Sequence, residues 1–376
     1  MSASSSSGNR VALIGLGNAG TTLHLPALRG LTDVAIVGVC DTDEVRRERV
    51  GKEYRTSTFS AVDDMLARTT PDVVIIATPP SSHLPFCLQS LAAGAHVICE
   101  KPFVASVDEA NTVLRAAAAA DRRVALNHEF REMPIFRALR DHVVPEDLLF
   151  AQVWQLMDLP PWAEPGWRGQ MLQRTLFEAG VHLVDFLMAL FGECPVAVSS
   201  TMGSSGAREG DTDAIALVTL EFSRGRLAQV VQNRLCKGET QYFEVRAETT
   251  AASWRASFGG RARLSVGLHR STRPHARIDF GVAGLAWREV GTKRTLLARN
   301  PKEPGMLATR FVLDKTLRAF RDGTEPPASG AVARDVLAVI AACYESSARG
   351  ARIRVADALD GPLSSLTLGT PPSGGA

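Results

Sequence analysis

Long apolar runs are missing from this chain of 376 residues. The longest, such as Val73–Ala77, falls far short of a membrane span, which excludes a transmembrane protein of the helical kind. Charge of one sign is also missing. The formal net charge is only +2 with 22% charged residues, so there is no basic stripe of the sort that binds nucleic acid. Cysteine is sparse and unpatterned: Cys40, Cys87, Cys99, Cys194, Cys236 and Cys343 form no CxxC pair, and several lie in apolar runs. They read as reduced core thiols of a cytoplasmic protein, not as a disulfide framework. The eight histidines show neither HxxxH nor HExxH spacing, so no metal site is expected. The Ser-rich opening lacks the apolar stretch of a signal peptide and reads as a disordered leader over 1–9.

What is present is apolar content, 45% of the chain, in a length that fits two domains. From residue 10 to 127, short apolar runs alternate with helical patterns. Strands are expected at Val11–Ile14, Val34–Cys40, Val73–Ala77, His96–Cys99 and Arg123–Leu126. Helices are expected at Thr21–Arg29, Glu44–Glu53, Ala61–Ala67, Ser82–Ala93 and Asp108–Ala120. That alternation predicts an α/β, doubly wound parallel sheet of the Rossmann kind. From 128 to 356 the pattern changes. Helices at Pro134–His142, Leu176–Phe191, Met306–Phe320 and Ala331–Ser347 accompany two-residue alternation at Leu149–Met157, Ala214–Phe222, Arg226–Asn233, Tyr242–Ala247 and Ala252–Ala256. This predicts an α+β domain with a large, mostly antiparallel sheet. The end, 357–376, is rich in Gly, Pro, Ser and Thr and reads as a mobile tail.

The motif that carries chemistry is Gly15-Leu16-Gly17-Asn18-Ala19-Gly20, a GxGxxG between a strand and a helix. In that context the glycines allow a tight turn and close approach of backbone to a pyrophosphate, and the helix N-terminus offers free N–H groups. Asp41 ends the second strand, 21 residues beyond Gly20, where a carboxylate would accept from ribose hydroxyls and repel a 2′-phosphate. NAD is therefore favoured, with NADP left open by Arg46 and Arg47 just downstream.

The stretch Asp72–Pro102, DVVIIATPPSSHLPFCLQSLAAGAHVICEKP, resembles the glucose-fructose oxidoreductase / inositol dehydrogenase / MocA family in its A-T-P-P-x-x-H, A-G-x-H-V and E-K-P pieces. The resemblance extends to His24-Leu25-Pro26-Ala27-Leu28, to Leu176–Gly192 and to Ser329–Val355, and is weakest between about 195 and 300. It implies that Thr78, Pro79 and His83 lie along the nicotinamide side of the cofactor. Glu100 and Lys101 are then implied where nicotinamide meets substrate, with a cis peptide before Pro102. Lys101 suits stabilisation of a developing alkoxide. Glu178-Ala179-Gly180-Val181-His182-Leu183-Val184-Asp185 stands where the family usually has D-x-G-x-H-x-x-D. On one helix Glu178, His182 and Asp185 would share a face. The resemblance makes His182 the acid/base, with Glu178 replacing the usual Asp. Arg131, Trp167, Arg168 and Asp185 are further candidates for substrate contact, as is Trp162, because aromatics stack on sugar faces and arginines grip hydroxyls.

The reading is thus an NAD(P)-dependent oxidoreductase of a sugar, cyclitol or related polyol. Two alternatives stand beside it: an enzyme of the same fold that oxidises transiently and recycles its NAD, and a dinucleotide-sensing scaffold, a class that tends to lose the lysine. The alternating strands carrying Val218, Leu220, Phe222 and Val230 imply an apolar sheet face, and from it a homodimer or homotetramer.

Overall fold

The computed structural model describes residues 8–160, 166–206, 212–238, 241–258, 262–268, 274–280 and 284–369; Trp162 and most of the leader lie outside them. Two compact units divide the chain: one runs to Glu129 and takes up Gly305–Leu337, the other holds Phe130–Pro304 and Ala338 onward. The return of 305–337 to the first unit was not expected from the sequence.

The first unit is a six-stranded sheet of β1 (Asn9–Ile14), β2 (Val34–Cys40), β3 (Thr58–Phe59), β4 (Val73–Ile76), β5 (His96–Cys99) and β6 (Val124–Leu126). The order is β3-β2-β1-β4-β5-β6 and every pairing is parallel. Its strands are apolar at consecutive positions because helices cover both faces; all of Val73–Ile76 is buried. Leu313, Leu317 and Phe320, from the helix Pro304–Arg321, complete a core with Leu13, Val39, Ile75 and Ile98. Asp43 and Ser106 cap the helices Glu44–Tyr54 and Val107–Ala119 by accepting N–H bonds from Arg46 and Glu109.

Within this core His96 stacks on Phe320, with ring centres 4.6 Å apart, and its Nδ1 accepts the Arg123 N–H at 3.0 Å. Burial, reinforced by Arg122 and Arg123, pushes its pKa down from 6.5 to about 4. The unfolded chain therefore takes up a proton near pH 6.5 that the folded chain refuses until about pH 4. The stability this gives is present above 6.5 and is lost as pH falls through that window. We expect the thermal midpoint of wild type, compared with His96→Gln, to lose its advantage between these two pH values. An unchanged difference would contradict the assignment.

The second unit holds β7 (Leu148–Leu156), β8 (Ala197–Gly203), β9 (Ile215–Glu221), β10 (Leu227–Asn233), β11 (Gln241–Thr249), β12 (Ser253–Phe258), β13 (Ala262–Leu268), β14 (Pro274–Phe280), β15 (Leu285–Val290), β16 (Lys293–Arg299) and β17 (Ile353–Arg354). Nine of them form one sheet in the order β16-β15-β12-β11-β7-β10-β9-β8-β17, while β13 and β14 pair separately. Among the described residues, only β7 and β10 run parallel within the large sheet.

One face of this sheet is covered. Val218, Leu220, Phe222 and Val230 are buried, and Phe222 stacks on Phe191 of the helix Val181–Phe191 at 3.8 Å. The expectation that these residues form an exposed apolar face is thereby corrected. The residues offset by one point the other way, and there Leu217 and Leu227 are 46% and 40% exposed. The stretch from 357, expected to be mobile, continues the helix Val355–Leu359 and buries Leu363 and Leu368 as far as it is described. Among the described residues no helix is long and apolar enough to cross a membrane, and no cluster of His, Cys, Asp and Glu could hold a metal ion.

Candidate active site

In the first unit the chain order places β1 and β4 side by side at the point where the winding reverses, the usual place for a ligand in such sheets. Gly15 leaves β1 with φ +97°, and a Cβ there would lie 2.6 Å from the Ala77 carbonyl oxygen at the end of β4. No other residue fits this turn. A Cβ on Gly17 would meet nothing within 4 Å, so the backbone beside it is open to a phosphate, flanked by Asn18 and Ala19. Gly20 packs on the Gly15 carbonyl and opens a π-helical turn, Gly20–His24, before the α-helix Leu25–Arg29. The continuous helix expected over Thr21–Arg29 is thus split: Leu25 N–H donates five residues back to Gly20, and Pro26, which has no N–H to give, sits in the first turn of the α-helix.

Asp41 closes the turn from the side. Its Oδ2 accepts the Leu16 N–H at 2.7 Å and its Oδ1 the Asp43 N–H at 2.9 Å, each oxygen keeping a second lone pair for a ribose hydroxyl. Arg47 is committed to the carbonyls of Asp41 and Thr42, whereas half-exposed Arg46 stands 3.8 Å from Asp41. The residues present therefore fit a dinucleotide. Gly15→Ala is expected to weaken NAD binding by about 30- to 150-fold, from backbone strain of about 2–3 kcal/mol, as read by titration calorimetry. Unchanged affinity would remove this turn from the cofactor site.

Thr78 and Pro79 follow β4; the Ser82 hydroxyl donates to Thr78 Oγ1 at 2.7 Å. His83, which the resemblance implies along the cofactor, is engaged by backbone carbonyls. It is fully buried, with Nδ1 2.9 Å and 2.8 Å from the carbonyls of Pro102 and Phe103, and Nε2 2.9 Å from that of Thr78. It braces the turn after β4 against the segment after β5. The Lys101–Pro102 peptide is cis.

Glu100, at the end of β5, is 6% exposed yet held ionised. Burial would raise its pKa, but His24, Asn127 and Lys101 together bring it down to about 2. His24 Nε2 lies 2.7 Å from Glu100 Oε1, and Asn127 Nδ2 donates to the same oxygen at 2.9 Å. His24, Asn127 and Thr309 were assigned no role from sequence. A histidine directly ahead of the apolar run Leu25–Leu28 was the available signal for the first; nothing local marks Thr309.

In the second unit the helix expected over Leu176–Phe191 also begins with a π-turn, Thr175–Gly180, continued by Val181–Phe191. Its first N–H groups are taken by a distant carboxylate: Asp213 accepts from Arg174 and Leu176, each at 3.1 Å. Tyr344 donates to Asp213 and accepts the Phe177 N–H. A Cβ on Gly180 would come within 2.8 Å of Gln232 Oε1 on β10, so the turn lies close on the sheet.

The three residues expected on one helix face have separate partners. Glu178, in the π-turn, accepts from Arg168 Nε at 3.2 Å, and Arg168 lies over the Trp167 ring at 4.5 Å. Arg174 and Arg234, both fully buried, are drawn to Glu178 and Asp213, while burial and their mutual repulsion lower Arg174 to about 10. His182 is 5% exposed, its ring centre 4.1 Å from that of Phe130. Asp185 is buried and accepts from Arg131 at 3.0 Å.

A doubly wound sheet with this glycine turn at its crossover defines a dinucleotide-binding domain, here joined to a sheet-based second unit. Two family models match the chain: the oxidoreductase family with NAD-binding Rossmann fold over residues 9–128, and the GFO/IDH/MocA C-terminal domain over 147–269. The chain belongs to the GFO/IDH/MocA family of NAD-binding oxidoreductases. It is 29% identical over 197 residues to D-glucoside 3-dehydrogenase of Escherichia coli, spanning 51% of this chain but only 56% of that protein. It is 28% identical to inositol 2-dehydrogenase 4 of Saccharopolyspora erythraea, over 72% of this chain and 79% of that one. In fold it is similar to an Agrobacterium radiobacter oxidoreductase solved with NAD+, L-tartaric acid and magnesium, with TM-score 0.76 and 18% identity, covering 93% of this chain and 98% of the other.

Proposed function

We propose that this protein is an NAD-dependent dehydrogenase or reductase acting on a CH–OH carbon of a sugar, cyclitol or related polyol. The observation that carries the reading is the ionised Glu100 followed by Lys101 directly after β5, one strand beyond the crossover whose turn fits the dinucleotide. NAD, when bound, supplies the hydride acceptor. Gly15, Gly17, Asn18, Ala19, Gly20, Asp41, Thr78 and Pro79 hold it, and Asp41 favours NAD over NADP. The Lys101 ammonium stabilises the oxygen that becomes negative as the C–H bond breaks. His182 removes the hydroxyl proton, its ring steadied by Phe130. Glu178 differs from the role expected for it. Paired with Arg168, it acts as a fixed negative charge that holds this partly exposed arginine, with Trp167 beside it, for substrate hydroxyls, while buried Arg174 and Arg234 balance it from within.

The test is direct: purified protein, NAD and a panel of sugars and cyclitols should generate reduced nicotinamide with at least one of them, and none does if the reading is wrong. The six cysteines show no CxxC spacing, and Cys40, Cys87, Cys99 and Cys343 are buried, which fits a reducing compartment such as the cytoplasm. The sheet face that carries Leu217 and Leu227 is the surface for self-association. Light scattering is expected to give a dimer or tetramer for wild type and a smaller species for Leu217→Arg; a wild-type monomer would refute this.

A further inference from the structure

Burying a carboxylate is a poor way to stabilise a fold. Taking its charge out of water is costly unless hydrogen bonds compensate, and apolar groups of similar size serve as well or better. Yet the first unit buries one directly before Lys101. His24 is 0% exposed and Glu100 6%. Glu100 Oε1 faces His24 Nε2 at 2.7 Å and accepts from Asn127 Nδ2 at 2.9 Å, while Oε2 accepts the backbone N–H of Lys101 at 3.2 Å. Asn127 is itself held: its Nδ2 also donates to Thr309 Oγ1 at 3.2 Å, and its N–H donates to Cys99. Glu100 N–H in turn donates to Ile76 at 2.9 Å.

One carboxylate thus gathers the π-turn of the first helix, the end of β5, the end of β6 and the helix Pro304–Arg321, and its second oxygen fixes the peptide from which the Lys101 side chain springs. The π-turn has a part in this. Its extra residue per turn changes which side chains face the sheet, and His24 is the last residue within it.

We propose that His24, with Asn127 and Thr309, is a positioning residue for hydride transfer: the three hold the Glu100 carboxylate in the one orientation that fixes the Lys101 backbone, and through it the place of the Lys101 ammonium. The inference rests on the role given to Lys101 above. His24 touches neither substrate nor cofactor in this account; it acts through Glu100.

The experiment uses the full chain as wild type, His24→Leu, His24→Gln and Thr309→Val. Amide hydrogen exchange of the cofactor-free protein is followed in fragments resolving Lys101. Steady-state kcat and KM are measured with NAD and whichever polyol the panel finds, and thermal midpoints are recorded for all. His24→Leu should speed exchange at the Lys101 amide by about tenfold. It should also lower kcat by about 10- to 100-fold while leaving substrate KM within about threefold, since misplacement of a reacting group costs rate and not ground-state binding. His24→Gln, which keeps a donor toward Glu100, should recover most of both losses. Thr309→Val should show the same pattern more weakly, and it decides the matter if His24→Leu does not fold. The proposal is overturned if Lys101 exchange is unchanged in the folded variants, or if glutamine is no better than leucine. It is equally overturned if KM rises while kcat holds. The exchange arm needs no turnover, so a failure of the dehydrogenase reading shows itself separately, as an active-site corner that is fixed in a protein that oxidises no polyol.

Discussion

Lys101→Ala should lower kcat by about 10²- to 10³-fold, the range for losing one preorganised charge beside a developing oxyanion. NAD affinity, measured by calorimetry, should stay within a few fold, because the contacts proposed for the dinucleotide are the turn after β1 and Asp41. Substrate KM should also move little, since the oxygen is neutral in the ground state and the ammonium acts mainly in the transition state. Lys101→Arg keeps the charge but spreads it over a planar fork, and should recover only part of the rate. A variant with full activity would mean that Lys101 is a surface charge, and the functional assignment would fall with it.

His182→Ala should cost about 10²- to 10⁴-fold in kcat, the usual contribution of a positioned acid/base group. The cavity left against Phe130 suits a flat ring, because the two side chains are tilted by 31° at 4.1 Å. Added imidazole should therefore restore a measurable part of the rate to this variant and none to Lys101→Ala. Rescue of neither, with both proteins folded, would remove His182 from proton transfer. Glu178→Gln is expected to act differently: with a carboxylate lost among Arg168, Arg174 and Arg234, it should raise KM and lower the thermal midpoint more than it lowers kcat.

The Rossmann half was legible because burial on both sheet faces turns its strands into plain apolar runs. Val34–Cys40 and His96–Cys99 have the bounds read from sequence, as does the helix Pro134–His142 in the second unit. The second sheet was legible only where alternation was clean. β15 and β16 carry Arg288, Glu289 and Arg294 among their apolar positions, and the pattern fails. The structure shows why these charges are tolerated: Arg294 lies 4.4 Å above Trp287 and Arg288 5.4 Å above Trp254, so their stems and guanidiniums cover aromatic surface. β8 was missed because its outer half, from Ser199 onward, is polar and only partly buried.

The candidate site was legible where chemistry sits in a compact motif, at Gly15–Gly20 and at Glu100–Lys101. It was not legible where partners come from afar. Asp213 and Tyr344 reach the start of the helix that bears His182 from 37 and 167 residues away. Thr309 meets Asn127 across 182 residues. The two π-turns were invisible for another reason: hydrophobic periodicity cannot register a single extra residue, although that residue decides what Glu178 and His24 face.

The central claim is that hydride passes between a substrate carbon and bound NAD. A polyol that the protein oxidises, deuterated at the reacting C–H, tests it most directly when the reduced nicotinamide is analysed by mass spectrometry and NMR. The account predicts one deuterium at the nicotinamide C4, on a single face, and a slower turnover than with the protiated compound. Deuterium appearing in water, or a product formed with no net reduced nicotinamide, would contradict it and point instead to an enzyme that oxidises transiently and regenerates its own cofactor.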